Sequence, residues 1–131
     1  MKMTKEEMVI REIIGPGRGD TNALSCAVQV AEQLLFEGQK GSCISSICVT
    51  RDIYAVVAEG LGRRCNSTAR QIQRMCERCW DYMDEEQKLR YIGKSRFSDG
   101  APGAQDMIFY FAFYCHYGES YYQVLRREVG L

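Results

Sequence analysis

Histidine and tryptophan each occur once in this chain, and proline occurs twice. No apolar run approaches the roughly 20 residues of a membrane span. Each scarcity excludes something. A lone histidine, His116, leaves no histidine pair for zinc and no nucleophile–base arrangement on which a hydrolase is built, so no enzyme is expected. Net charge is also missing, because 17 basic residues balance 17 acidic ones. That excludes a globally basic nucleic-acid binder and leaves a locally basic face open. The N-terminal stretch MKMTKEEMVIREIIG carries acids where a secretory signal would be apolar. A cytoplasmic protein without membrane association is therefore expected, its seven cysteines held as reduced thiols.

What is present suits one globular domain. The 131 residues are 46% hydrophobic and 26% charged, with no repeat or low-complexity linker. A domain of this size buries roughly two-thirds of its unfolded surface and needs no metal or disulfide to fold. Thr4 and Glu7 fit a capping box, and Met8, Ile10, Ile13 and Ile14 follow, predicting a first helix from about Thr4 to Ile14. Gly15 to Gly19 breaks it. Those glycines lack the preceding strand and the lysine of a phosphate-binding loop, so they read as an interhelical connection.

Asp20 is placed to cap a second helix carrying Leu24, Ala27, Val28, Ala31, Leu34 and Leu35 and stopping at Gly38. After the short apolar piece Cys43 to Cys48, Thr50 is placed to cap a helix with Ile53, Val56, Val57 and Leu61, ended by Gly62. The next is predicted from Ser67 or Thr68 to about Met83, and a short one spans Asp84 to Ile92. The aromatic run MIFYFAFYCHY has strand propensity but no strand partner, which favours a helix ending at Gly118. A last helix is predicted around Tyr121 to Val129. The expected fold is all-α, a compact domain of about six helices.

Residues 61–80, LGRRCNSTARQIQRMCERCW, concentrate five arginines and three cysteines. At 100° per residue, Ile72, Met75, Cys76, Cys79 and Met83 share one side of the helix. Arg70, Arg74, Glu77, Arg78 and Asp81 take the other, flanked by Gln71 and Gln73. Cys76 and Cys79 thus face the apolar side in mid-helix, away from the N-terminal position of a redox pair. No second CxxC completes a zinc site, so no metal and no cofactor are expected. Paired acids such as Glu6-Glu7 and Glu85-Glu86 read as helix surface.

The polar side points elsewhere. Arginine and glutamine make paired hydrogen bonds to guanine and adenine edges, and Ser67 and Thr68 with free helix N–H groups suit a phosphate oxygen. DIYAVVAEGLG has the spacing and glycine turn of a helix-turn-helix's first member, predicting that motif over about 50–83. Gln73 and Arg74, with Arg70 and Gln71, are the candidate base-edge residues. Arg63, Arg64, Ser67, Thr68 and Arg78 are the candidate phosphate contacts.

On these residues the chain resembles the DNA-binding effector domain of the stage 0 sporulation protein A family, the sporulation regulators of spore-forming Firmicutes. Ile10 to Pro16 is similar to the family's first helix and its exit. Gly41 to Ile44, Asp52-Ile53 and Arg64 to Ala69 track its helix-turn-helix, and Ala101-Pro102-Gly103 its loop before the last helix. The resemblance implies a transcriptional regulator that binds short boxes of double-stranded DNA, often as a homodimer on tandem sites. It also implies contact with RNA polymerase or a sigma factor. Arg74 keeps the family's arginine. Gln71, Gln73 and Glu77 replace arginine, glutamate and arginine, so a different DNA box is expected. The family's receiver domain has no counterpart here. The aromatic C-terminal segment, ending Tyr121 to Leu125, also departs from the family, and Tyr110, Phe113, Tyr114, Tyr117, Tyr121 and Tyr122 read equally as core or as a self-association surface. The alternative function is a protein-interaction module of the same fold, engaging polymerase or a regulator with little DNA affinity.

Overall fold

The computed structural model describes residues 3–17, 19–37 and 43–128. The protein is all-helical as expected, with 7 α-helices and no strand among the described residues. In chain order they are α1 (Lys5–Ile14), α2 (Asn22–Phe36), α3 (Ala55–Leu61), α4 (Cys65–Tyr82), α5 (Glu85–Tyr91), α6 (Ala104–Tyr117) and α7 (Tyr121–Glu128). A single 3₁₀ turn, Ile44–Ser46, and a π-wound segment, Val49–Tyr54, lead into α3. Gly38, Gly41 and Val129, and Arg18 and Ser42 within the segments Gly15 to Gly19 and Gly41 to Ile44, lie outside the described residues.

Local chemistry sets the helix ends. The Thr4 hydroxyl accepts the Glu7 N–H at 3.1 Å, and Gly15, at φ 83°, closes α1 by donating to the Arg11 carbonyl. Only half of the expected capping box forms here, since the Glu7 carboxylate lies 3.9 Å from Arg11 instead. The full box occurs at α5, where Asp84 and Gln87 exchange side-chain and backbone bonds. Asp20 accepts the Asn22 N–H at 2.9 Å and so serves the first turn of α2.

Helix α2 is the hub, packing against α1, α3, α4 and α6. Ala23, Ala27 and Ala31 recur every four residues and are at most 2% exposed, which brings neighbouring helices close, while Leu24 and Val28 fill the space beside them. Helix α6 is its largest neighbour. Met107 through Ala112 are all buried, so this helix is apolar on every side and runs through the core. That accounts for an aromatic run with strand propensity folding as helix. No sheet among the described residues is there to receive it, and its rings find neighbours on other helices: Tyr114 stands edge-on to Tyr91, and Phe113 to Tyr121. Tyr110 is buried with its hydroxyl 3.2 Å from that of Tyr122. Most of the aromatic segment therefore serves the core, and Tyr117 is its exposed member.

Candidate nucleic-acid interface

Helices α3 and α4 pack on each other and are joined by Gly62, Arg63 and Arg64. The segment before them starts differently from expectation. Cys48, not Thr50, holds the N-cap position of the π-wound turn, and the Asp52 carboxylate reaches back to the Cys48 N–H at 2.9 Å. Helix α3 ends in a Schellman motif. Gly62, at φ +65°, donates to the Glu59 carbonyl at 3.2 Å, and Arg63 donates to that of Ala58 at 2.9 Å.

Helix α4 begins at Cys65, earlier than the expected start at Ser67 or Thr68, so the connection is shorter than the sequence suggests. Arg64 is extended, and its carbonyl already accepts the Thr68 N–H at 3.0 Å. The physical reason is the apolar stripe. Cys65 packs against the core in line with Thr68 and Ile72, which extends the buried seam by one turn.

This start overturns one candidate contact. Thr68 is 0% exposed and lies inside the helix rather than at its tip, so it cannot reach a phosphate. Its hydroxyl is the one buried side-chain oxygen or nitrogen without a hydrogen-bond partner among the described residues. An unpaired buried hydroxyl is a net cost that an apolar isostere removes. Thr68→Val is therefore expected to raise stability by ~1 kcal/mol in urea unfolding and to leave any DNA affinity unchanged. Loss of affinity in a folded valine variant would restore the phosphate role.

The other candidates divide by flank. Arg64, Ser67, Arg70, Gln73 and Arg74 are exposed along α4's outer side, and Glu77 and Asp81 continue that side towards its C-terminus. No ion pair or hydrogen bond ties the Arg64, Arg70 or Arg74 guanidinium to another described residue. Arg63 is committed: it donates to Gln71 Oε1 at 2.9 Å and to Asp20 at 3.0 Å. The Asn22 backbone N–H, then Arg63, holds the Asp20 carboxyl below its usual range. This Asp20–Arg63–Gln71 chain pins the entrance of α4 to that of α2, a link between distant segments that sequence spacing does not reveal.

Arg78 is half-buried against the α1–α2 connection. Its Nη1 lies 2.8 Å from the place a Cβ on Gly19 would occupy, and it lines an open recess of about 360 Å³ with Asp20, Gln71 and Arg74. Gln73 lies on the opposite flank. There it borders a recess of about 640 Å³ between the Tyr54 ring, Glu77 and the start of α6 at Gly103 and Ala104. The candidate base-edge residues thus share one convex ridge, with Gln71 and Gln73 looking to opposite sides.

Cys76 and Cys79 lie in the core, at 2% and 0% exposure, as their spacing predicts. Burial pushes both thiols up, that of Cys79 to about 12, which leaves them as small apolar groups. His116 is exposed and stacked on Phe36 at 4.0 Å. No helix among the described residues is long and apolar enough to cross a membrane. Compared with protein-family models, curated proteins and solved structures, the chain matches none.

Proposed function

We propose that this protein binds double-stranded DNA through the outer face of α4, the helix pair α3–α4 acting as a helix-turn-helix. The observation that carries the reading is the pair Arg70 and Arg74. They stand one turn apart, exposed, with no partner among the described residues. Two guanidinium forks that satisfy nothing within the fold are suited to guanine edges or phosphates. In this reading Arg70, Gln73 and Arg74 meet base edges. Ser67, Arg64 and Arg78 meet the backbone. Arg63 changes role from phosphate contact to positioning residue, orienting Gln71 through their hydrogen bond. The resemblance to sporulation effector domains supports a transcriptional role, with contact to polymerase or sigma factor and pairing of two copies on tandem boxes.

The test is selection of a binding motif from a randomised duplex pool, followed by fluorescence anisotropy over a salt series. Recovery of one short motif, bound with an affinity that falls steeply with salt, supports the reading, because neutralised phosphates release counterions. No enrichment at any salt concentration rejects it.

A second reading is favoured by one specific feature. Glu77 and Asp81 place negative charge on the same exposed face, which a polyanion repels and a basic protein surface accepts. If DNA is the ligand, Glu77→Arg is expected to tighten binding by about tenfold at low salt and to steepen the salt dependence by about one phosphate contact. If a protein partner is the ligand, the same variant weakens that complex.

A further inference from the structure

Away from α4, where α1, α2 and α6 meet, two carboxylates and a thiol converge. Glu6, expected on the helix surface, is 5% exposed, Glu32 is 8% and Cys115 is 8%. One oxygen of each carboxylate and the Cys115 Sγ all lie within 4.8 Å of one another. Cys115 is more than nine-tenths buried, its thiol has no hydrogen-bond partner among the described residues, and its Sγ stands within 4.8 Å of an oxygen of each carboxylate. Gln29 donates to Glu6 at 3.1 Å and fixes that carboxylate. Lys5 closes the outer side, bonded to the Cys115 carbonyl at 3.0 Å and lying 3.8 Å from Glu32.

The geometry points to a divalent-cation site formed by Glu6, Glu32 and Cys115, suited to a thiophilic ion such as zinc and stapling three helices together. Tetrahedral zinc takes thiolate and carboxylate ligands at roughly 2.0–2.3 Å, so its ligand atoms stand ~3.3–3.8 Å apart. The three side chains need only a small contraction to reach that spacing. Gln29, bonded to a ligand carboxylate, is the outer support that such sites use.

Charge balance supports the exchange. Burial, then the neighbouring Glu6, pushes Glu32 up to about 8. Glu6 is raised by burial, but hydrogen bonds from Glu32 and Gln29 outweigh this and hold it below its usual value. Burial also pushes the Cys115 thiol up to about 12. At neutral pH Glu32 and Cys115 therefore hold their protons beside the Glu6 carboxyl. Entry of a divalent ion releases the Glu32 and Cys115 protons to solvent, so the charge of the cluster does not change. Two protons leave, two positive charges arrive, no electrons move, and no uncompensated charge is buried.

Cobalt(II) is the probe, added to the full chain after chelator treatment and reduction. Cys43→Ser and Cys48→Ser are present throughout to remove exposed thiols. The expected result is binding of one ion with a thiolate-to-cobalt charge-transfer band, release of about two protons per ion, and displacement by zinc. Cys115→Ser should abolish the band. Glu32→Gln, which preserves the neutral packing of a protonated Glu32, should weaken binding at least ~tenfold and remove a zinc-dependent rise in melting temperature. Cys26→Ser should change nothing. Absence of the band in the folded chain would overturn the site, leaving Glu6 and Glu32 as a proton-sharing pair. So would a band that survives Cys115→Ser or is indifferent to Glu32→Gln. None of these readouts depends on DNA, so this site and the α4 interface stand or fall separately.

Discussion

Arg70→Ala/Arg74→Ala is expected to erase motif selection while leaving unfolding within ~0.5 kcal/mol of wild type. Each arginine that forks onto a guanine contributes roughly 1–3 kcal/mol of discrimination, so the pair accounts for ~2–6 kcal/mol, at least about 30-fold in affinity. Stability should hold because neither guanidinium has a partner among the described residues that its loss would strand. Arg63→Ala differs: it removes the donor that serves both Asp20 and Gln71. Lysine variants separate the two uses of charge. Lysine keeps the charge and loses the planar fork, so a role at phosphates survives Arg→Lys and a role at base edges does not. Selection by anisotropy with all three forms, circular dichroism confirming the fold, decides it. A double alanine variant that enriches the wild-type motif unchanged would remove α4 as the interface.

That the arginine face was legible from sequence follows from its periodicity. Ile72, Met75, Cys76 and Cys79 are buried where a 100° wheel places them, and the wheel therefore also fixes which arginines look outward. The helix ends were legible where a side chain and its backbone target are near in sequence, as at Thr4, Asp84 and the glycines after α3 and α6. Ser67 and Thr68 misled because hydroxyls after a glycine-containing turn resemble caps. Thr68 stands four residues before Ile72 and seven before Met75, which puts it on the buried stripe, and its γ-methyl serves there as an apolar group.

Other features had no local signature. Glu6, Glu32 and Cys115 come from three helices, and only the packing of α1 and α6 against α2 brings them together. Glu32 gave a faint hint, following Val28 by one helical turn on a face that is otherwise apolar. The Asp20–Arg63 ion pair likewise joins residues far apart in sequence, and no spacing rule reaches that far.

Gly93 and Gly62 make the second large prediction, because both are left-handed glycines and only one is crowded. Gly62 ends α3 at φ +65°, and a Cβ there meets nothing within 4 Å. Gly62→Ala is therefore expected to cost only the left-handed penalty, ~1–2 kcal/mol. Gly93 follows α5 at φ +92°, and a Cβ there stands 2.5 Å from Ser120 Oγ, 3.2 Å from Ser120 Cβ and 3.1 Å from Tyr122 Cβ. The Ser120 hydroxyl cannot turn aside freely. It is buried and accepts the Gln123 N–H at 3.2 Å at the start of α7, while the Tyr122 N–H reaches the Ile92 carbonyl at 3.3 Å. Gly93→Ala must break that bond or push α7 away, adding about 1 kcal/mol for the lost cap and ~1–3 kcal/mol for overpacking. The total, roughly 3–6 kcal/mol, is a large share of the stability of a domain this size. Urea unfolding of the two variants side by side tests it. Equal losses would mean that α7 does not dock against the α5 exit as described. A larger loss at Gly93, with Gly62→Ala still folded, identifies that docking as a main support of the C-terminal aromatic cluster, since Tyr121 and Tyr122 reach Tyr110 only when α7 lies there.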